Sequence, residues 1–208
     1  VDTLAYWSTF GQQVILGLIQ VGGLASLIGS SIFLLHIARQ ATGREKFLLR
    51  ESMHVSSGRG IAGLIVGILV YALLIEAAGT WLLYRHFSGS QSQAEALWLG
   101  LFHSISAFNN AGFEIMGLSH YLGDPLVNWA LAGLSIVGSL SFLVALELAR
   151  VRRFSRLSLD SKLVLTTTAW LLGLGTLAVL LVEFSNPLSL GPLSFLPKLQ
   201  TAFFHAAT

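Results

Sequence analysis

The chain has no cysteine, which excludes disulfides and thiolate metal sites. Charge is scarce as well: Asp, Glu, Lys and Arg make up 11% of 208 residues, against about 25% in a soluble domain. So little charge cannot clothe an ordinary water-facing surface. With 54% hydrophobic residues and a mean hydropathy of +0.73, the chain reads as a polytopic membrane protein. A formal charge of +2 is too small to suggest nucleic acid as a partner. No basic flank precedes the first apolar run, so no cleavable signal peptide is expected. Serines are many, but none sits in a nucleophile-elbow context with a partnered His and acid, and there is no phosphate loop. An enzyme is therefore not expected. The sequence begins without Met and stops in mid-pattern at Thr208, as a fragment would.

Four long apolar spans are present: Phe10 to Ile37, Gly60 to about Tyr84, Pro125 to Leu148, and Lys162 to Phe184. Gln12, Gln13 and Gln20 interrupt the first, together with Gly17, Gly22 and Gly23, small residues that permit close helix approach. Ten of the twelve basic residues fall in the segments 38–59 and 149–162. By the positive-inside rule the loops 38–59 and 149–161 are expected to be cytoplasmic, and 85–124 and 185–197 external. Trp81, Tyr84, Trp98 and Trp129 fall near span ends, as an interfacial belt requires.

Between the second and third spans lies a run that does not fit a spanning helix. Residues 95–108 form a helical stretch of only about 21 Å, against a hydrocarbon core of about 30 Å. It breaks at Asn109-Asn110-Ala111-Gly112-Phe113-Glu114. A short helix followed by extended backbone is tolerated at membrane depth only where protein encloses it or it lines a cavity, the geometry of a re-entrant pore loop over 95–114. Such a helix aims its negative C-terminal end at a desolvated cation. Asn109, Asn110, Ala111, Gly112 and Phe113 are the candidate ion-binding residues, with the carbonyls of Asn110, Ala111 and Gly112 as the cation's ligands and Gly112 supplying backbone freedom. The alternative is a capped helix end with a purely structural Asn-Gly turn. Glu114 is a candidate for concentrating cations at the outer mouth, or else a solvated loop acid. Glu76, alone within the second span, is expected to accept hydrogen bonds from loop amides behind the ion site, and Glu183 is given the same role. His103 and His205 are expected to be packed and hydrogen-bonded rather than metal-ligating.

The chain also echoes itself at about one hundred residues. Phe102-His103-Ser104-Ile105-Ser106 recurs as Phe204-His205-Ala206-Ala207-Thr208, and the run from Gly17 to Leu24 is echoed from Gly133 to Leu140. The unit is helix, re-entrant loop, helix, and parallel repeats of this kind would surround a central pore.

Phe108-Asn109-Asn110-Ala111-Gly112-Phe113 resembles the second selectivity filter of the Ktr/Trk/HKT potassium-uptake family, closest to its Ktr-type membrane translocating subunit. Supporting similarity lies in Leu18-Ile19-Gln20-Val21-Gly22-Gly23-Leu24, Gly123-Asp124-Pro125 and Glu183-Phe184-Ser185-Asn186-Pro187. Where the family often carries Gly-Gly-X-Gly-Phe, this chain reads Gly22-Gly23-Leu24-Ala25-Ser26 and Gly138-Ser139-Leu140-Ser141-Phe142. The resemblance implies an all-α, potassium-channel-like membrane protein, here a partial chain. Residues 1–37 would be the end of repeat one, 60–148 repeat two, and 162–208 the start of repeat three. It implies uptake of potassium, with sodium as a second candidate, across the plasma (cell inner) membrane, and no cofactor. It further implies a homodimer with a cytoplasmic nucleotide-binding regulatory subunit. The competing reading is a polytopic carrier or enzyme, which would have to use Glu76, Glu183 and the first-span glutamines as its polar groups. A nonconducting remnant is a third.

Overall fold

The computed structural model describes residues 3–40, 58–116 and 124–208. Most of the basic stretch 38–59 and of the loop 115–124 lies outside the described residues. Every regular element of length in the described residues is helical: α1 (Thr3–Tyr6), α2 (Thr9–Gln40), α3 (Gly58–Phe87), α4 (Gln93–Phe108), α5 (Pro125–Ser139), α6 (Phe142–Val151), α7 (Leu159–Glu183) and α8 (Phe195–Ala207). Among the described residues three helices, within α2, α3 and α7, are long and apolar enough to cross a membrane, or four if α5 and α6 count as one broken span. Their faces are inverted relative to a soluble protein. Leu18 is 68% exposed, Leu74 64% and Leu181 74%, with no partner helix over them. Apolar side chains displayed along whole helices are stable only in lipid, so the chain is an all-α membrane protein.

The short helices start where the sequence supplies caps. Ser92-Gln93-Ala94-Glu95 is a capping box: the Ser92 hydroxyl accepts the Glu95 N–H at 3.4 Å and opens α4. Asp124 accepts the N–H groups of Leu126 (3.0 Å) and Val127 (3.2 Å), Pro125 fills the first turn, and α5 begins. The other oxygen of Asp124 meets His86 Nε2 at 2.7 Å, tying the end of α3 to the start of α5.

The third apolar run is not one straight helix. α5 and α6 meet at a bend of 103°. Leu140 is extended (φ −72°, ψ 136°), the Ser139 hydroxyl turns back to the Ile136 carbonyl, and Ser141 restarts the helix by accepting the Leu143 N–H at 3.3 Å. A serine on each side of the break offers the backbone a local alternative to the helical ladder, which apolarity alone does not reveal.

α4 is the buried centre. Phe102 to Ser106 are all buried, wrapped by α3 and α5, with Leu16 of α2 and Phe204 of α8 completing one apolar cluster. Glycines set how closely α3 and α4 approach. A Cβ at Gly100 would stand 2.9 Å from the Thr80 carbonyl oxygen, and one at Gly79 would stand 2.4 Å from Ser104 Oγ. α7 and α8 repeat this contact, with Gly175 against Ala206. That register corrects the pairing of Glu183 with Glu76. The three positions from Gly79 back to Glu76 lead from Gly175 to Leu172, whereas Glu183 is the last residue of α7. Its carboxylate accepts from Asn186 Nδ2 at 2.6 Å and from the Ser189 hydroxyl, holding the loop before α8 rather than the end of a buried helix.

Candidate functional site

The five candidate residues follow the end of α4, and their backbone is bent twice into the left-handed region. Asn110 has φ 51° and Gly112 φ 70°. The Asn110 N–H donates to the Ala107 carbonyl (3.0 Å) and the Ala111 N–H to that of Ser106 (2.9 Å). This is a Schellman end, with asparagine, the side chain that best tolerates left-handed backbone, in the place usually taken by glycine. Gly112 thus supplies one of two left-handed positions, and Asn110 supplies the other. A Cβ at Gly112 would meet nothing within 4 Å, so conformation, not crowding, makes glycine necessary there.

This termination has a consequence for the carbonyls. Those of Ile105, Ser106 and Ala107 are consumed by the cap, and that of Phe113 accepts the Ser106 hydroxyl at 2.7 Å. The carbonyls of Asn109, Asn110, Ala111 and Gly112 accept no hydrogen bond from any described residue. Four successive main-chain oxygens are left for water or a cation.

Side chains fix the loop from three sides. Ser106 both donates to the Phe113 carbonyl and accepts the Phe113 N–H (3.0 Å), closing the loop onto α4. From α5, Ser135 donates to the Ala107 carbonyl at 3.1 Å, and its own carbonyl accepts Asn110 Nδ2 at 3.3 Å. From α3, the Glu76 carboxylate accepts Asn109 Nδ2 at 3.0 Å and, on its other oxygen, Gln20 Nε2 of α2 at 2.9 Å. Glu76 is 3% exposed and forms no ion pair among the described residues. Its main-chain carbonyl accepts the hydroxyls of Thr80 (2.7 Å) and Ser104 (2.8 Å). The two partners are side-chain amides, that of Asn109 in the loop and that of Gln20 in α2. Together with the C-terminal end of α4, the carboxylate makes this end of the helix electronegative.

Two glycines seat the loop. A Cβ at Gly23 would lie 1.7 Å from Asn109 Oδ1, and one at Gly138 would lie 1.7 Å from the Phe108 carbonyl oxygen. One falls in each of the echoed glycine-bearing runs, 17–24 and 133–140. Gly22, beside Gly23, and Gly133, in the same run as Gly138, face open space.

His103 is packed as expected. Its Nδ1 lies 2.8 Å from the Leu99 carbonyl, and its Nε2 accepts the Ile115 N–H at 3.5 Å, which places the proton on Nδ1 and leaves the ring neutral. His205 differs: it is exposed, edge-on to Phe204. Trp98 is not merely a belt residue, since its Nε1 donates to Gln12 Oε1 at 3.3 Å and joins α4 to α2. A cleft of about 240 Å³ opens at the loop, lined by Asn110, Gly112, Phe113 and Glu114, by Ser135 of α5 and by Phe204 of α8. Glu114 therefore faces the same space as Asn110 and Gly112.

The residues that sequence reasoning passed over are Gln20, Ser104, Ser106 and Ser135 as loop supports. A signal for two of them was present: a helix buried from residue 102 to 106 that nonetheless carries serine must be spending those hydroxyls on backbone.

Comparison with known proteins agrees with this architecture. The chain is 35% identical over its whole length to the Ktr system potassium uptake protein B of Bacillus subtilis, covering 47% of that relative. It is 32% identical to the protein of the same description from Vibrio alginolyticus, again over the whole chain and 47% of the relative. It is 29% identical to the potassium/sodium uptake protein NtpJ of Enterococcus hirae, over the whole chain and 46% of that protein. The chain thus spans about half the length of the curated relatives it matches. The TrkH family, described as cation transport protein, matches residues 1–196, and the chain belongs to this family of membrane cation transporters, which are not enzymes.

Proposed function

We propose that this chain is part of a pore for potassium uptake, in which the carbonyls of Asn109, Asn110, Ala111 and Gly112 take the place of the ion's hydration shell. The observation that carries this reading is that four successive carbonyls accept no hydrogen bond from any described residue while three helices and two serines hold the surrounding backbone in place. Phe113 belongs to the set as its tether, through Ser106. Potassium is the cation of choice because two of the relatives are named for it; sodium is the second candidate, since the third is named for both.

In this account α4 and residues 109–114 form a re-entrant pore loop. Sixteen residues of α4 reach about 24 Å, short of a span, and the stretch from Phe102 to Ser106 is enclosed by protein. Residues 1–37 end one helix–loop–helix repeat, 60–148 form the next and 162–208 begin a third, the shared α3–α4 and α7–α8 contact being the structural support. Glu76 braces the loop through Asn109, and Glu114 adds negative potential at the mouth. The protein is placed in the plasma membrane as a multi-pass homodimer, with 38–59 and 149–161 cytoplasmic and a nucleotide-binding regulatory subunit on that side. The Ktr-system names of two relatives are the ground for a second component.

Rubidium uptake by cells carrying the full-length protein tests the reading. Gly112→Ser must force a side chain into φ 70°, at a cost of about 1–2 kcal/mol, and is expected to weaken potassium-over-sodium discrimination. Unchanged rubidium flux and unchanged selectivity would remove the filter assignment.

A further inference from the structure

The segment joining α6 to α7 presents four arginines and no matching acid. Arg150, Arg152, Arg153 and Arg156 are all exposed, and none of their side chains bonds to a described residue. The nearby carboxylates are Glu147 and Asp160. Glu147 is committed to folding: it accepts the Ser158 N–H and hydroxyl, each at 2.7 Å, and the Ser161 hydroxyl, so it caps α7. Asp160 is exposed in the first turn of α7, where it complements the helix dipole. Lys162 donates to the Ser155 carbonyl at 3.0 Å, and residues 154–156 form one 3-10 turn. The guanidinium groups therefore project from a held loop, not a loose one.

Two further features point outward. Phe154 is 57% exposed and Leu159 74%, interleaved with the arginines at the point where the apolar helix α7 begins. Arg152 closes α6 in the left-handed region (φ 52°, ψ 3°), a position that glycine occupies at lower cost. An arginine retained where glycine is conformationally cheaper argues that its charge is used. A cluster of cations beside a membrane helix, with apolar side chains among them, suits a surface of phosphate headgroups over acyl chains.

We propose that residues 150–159 form a docking surface for anionic phospholipid headgroups in the leaflet where α7 begins. The positive-inside rule accounts for the sign of the charge; the held loop, the interleaved Phe154 and Leu159, and the left-handed Arg152 account for a surface that concentrates particular lipids. Each guanidinium near an anionic surface changes lipid occupancy roughly fivefold.

The test uses the full-length protein in nanodiscs, with a bimane fluorophore on Ser155→Cys in an otherwise cysteine-free background. Lipids carrying a nitroxide near the headgroup are the probes, as phosphatidylglycerol or as phosphatidylcholine. The phosphatidylglycerol probe is expected to quench several-fold more than the phosphatidylcholine probe, and the difference should shrink as salt is raised. Arg152→Gly should lower the preference roughly fivefold while leaving thermal unfolding and rubidium uptake at or above the original values. The triple change Arg152→Gly, Arg153→Gln, Arg156→Gln should lower it more than tenfold. Equal quenching by the two lipids, or a preference that survives the triple change, would overturn the proposal. So would a triple variant that keeps its lipid preference but no longer retains a cytosolic regulatory subunit, since the face would then belong to a protein partner.

Discussion

Gly22 and Gly23 are neighbours in one helix, and the structure predicts opposite consequences for filling them. At Gly23 an added Cβ would lie 1.7 Å from Oδ1, 2.4 Å from Cγ and 2.9 Å from Cβ of Asn109. Ordinary contact begins at 3.4 Å, so the shortfall reaches half the needed distance and extends to the root of the side chain. Rotating Asn109 away relieves the clash only by breaking its bonds to Glu76 Oε1 (3.0 Å) and to the Ile105 carbonyl (2.9 Å). A hydrogen bond to a charged group contributes about 1.5–3 kcal/mol and a neutral one about 1 kcal/mol, and the buried carboxylate is left with Gln20 alone. Offsetting this, alanine is better than glycine inside a helix by about 1 kcal/mol. Gly23→Ala should therefore lose about 1.5–3 kcal/mol of support at the loop. Gly22→Ala, whose Cβ meets nothing within 4 Å, should gain up to about 1 kcal/mol. Thermal unfolding of the two full-length variants in detergent, with sodium competition against rubidium uptake, separates them. Gly22→Ala should match or exceed the parent in both assays, and Gly23→Ala should unfold earlier and admit more sodium. Indistinguishable variants would refute the idea that Asn109 is seated on Gly23 and braced by Glu76.

The same contrast applies on the other side of the loop. Gly138→Ala drives a Cβ to 1.7 Å from the Phe108 carbonyl oxygen, a backbone atom that cannot rotate aside, so uptake should fall by more than in Gly23→Ala, whereas Gly133→Ala in open space should be silent in the same flux assay. Ser106→Ala removes both the donor to the Phe113 carbonyl and the acceptor of its N–H, which should cost about 1–3 kcal/mol and appear as increased sodium entry with expression unchanged. Glu76→Gln keeps the shape but turns an NH₂ toward Asn109 or Gln20 and removes the carboxylate acceptor, so the brace weakens and potassium preference should drop in the competition assay.

The short helix and its broken end were legible because their signal is local. A helix too short to span, opened by Ser92-Gln93-Ala94-Glu95 and ended by Asn-Asn-Ala-Gly, is written within some twenty residues, and the structure follows it to within two residues. The supports were not legible because they come from afar. Gln20 and Glu76 are 56 residues apart, and nothing in the sequence ties Gln20 to Glu76. The bend after Ser139 was hidden for another reason: apolarity continues through it, and hydropathy does not distinguish a straight span from one that two serines have broken. Glu183 misled because distance from the end of a span was used in place of packing register, and only the Gly175–Ala206 contact shows where α7 stands against α8.

Anomalous scattering from rubidium tests the central claim most directly. In crystals of the full-length protein grown with rubidium in place of potassium, the account predicts a peak within coordination distance of the carbonyls of Asn110, Ala111 and Gly112. Rubidium bound elsewhere in the pore, with these oxygens facing ordered water or protein donors instead, would contradict it.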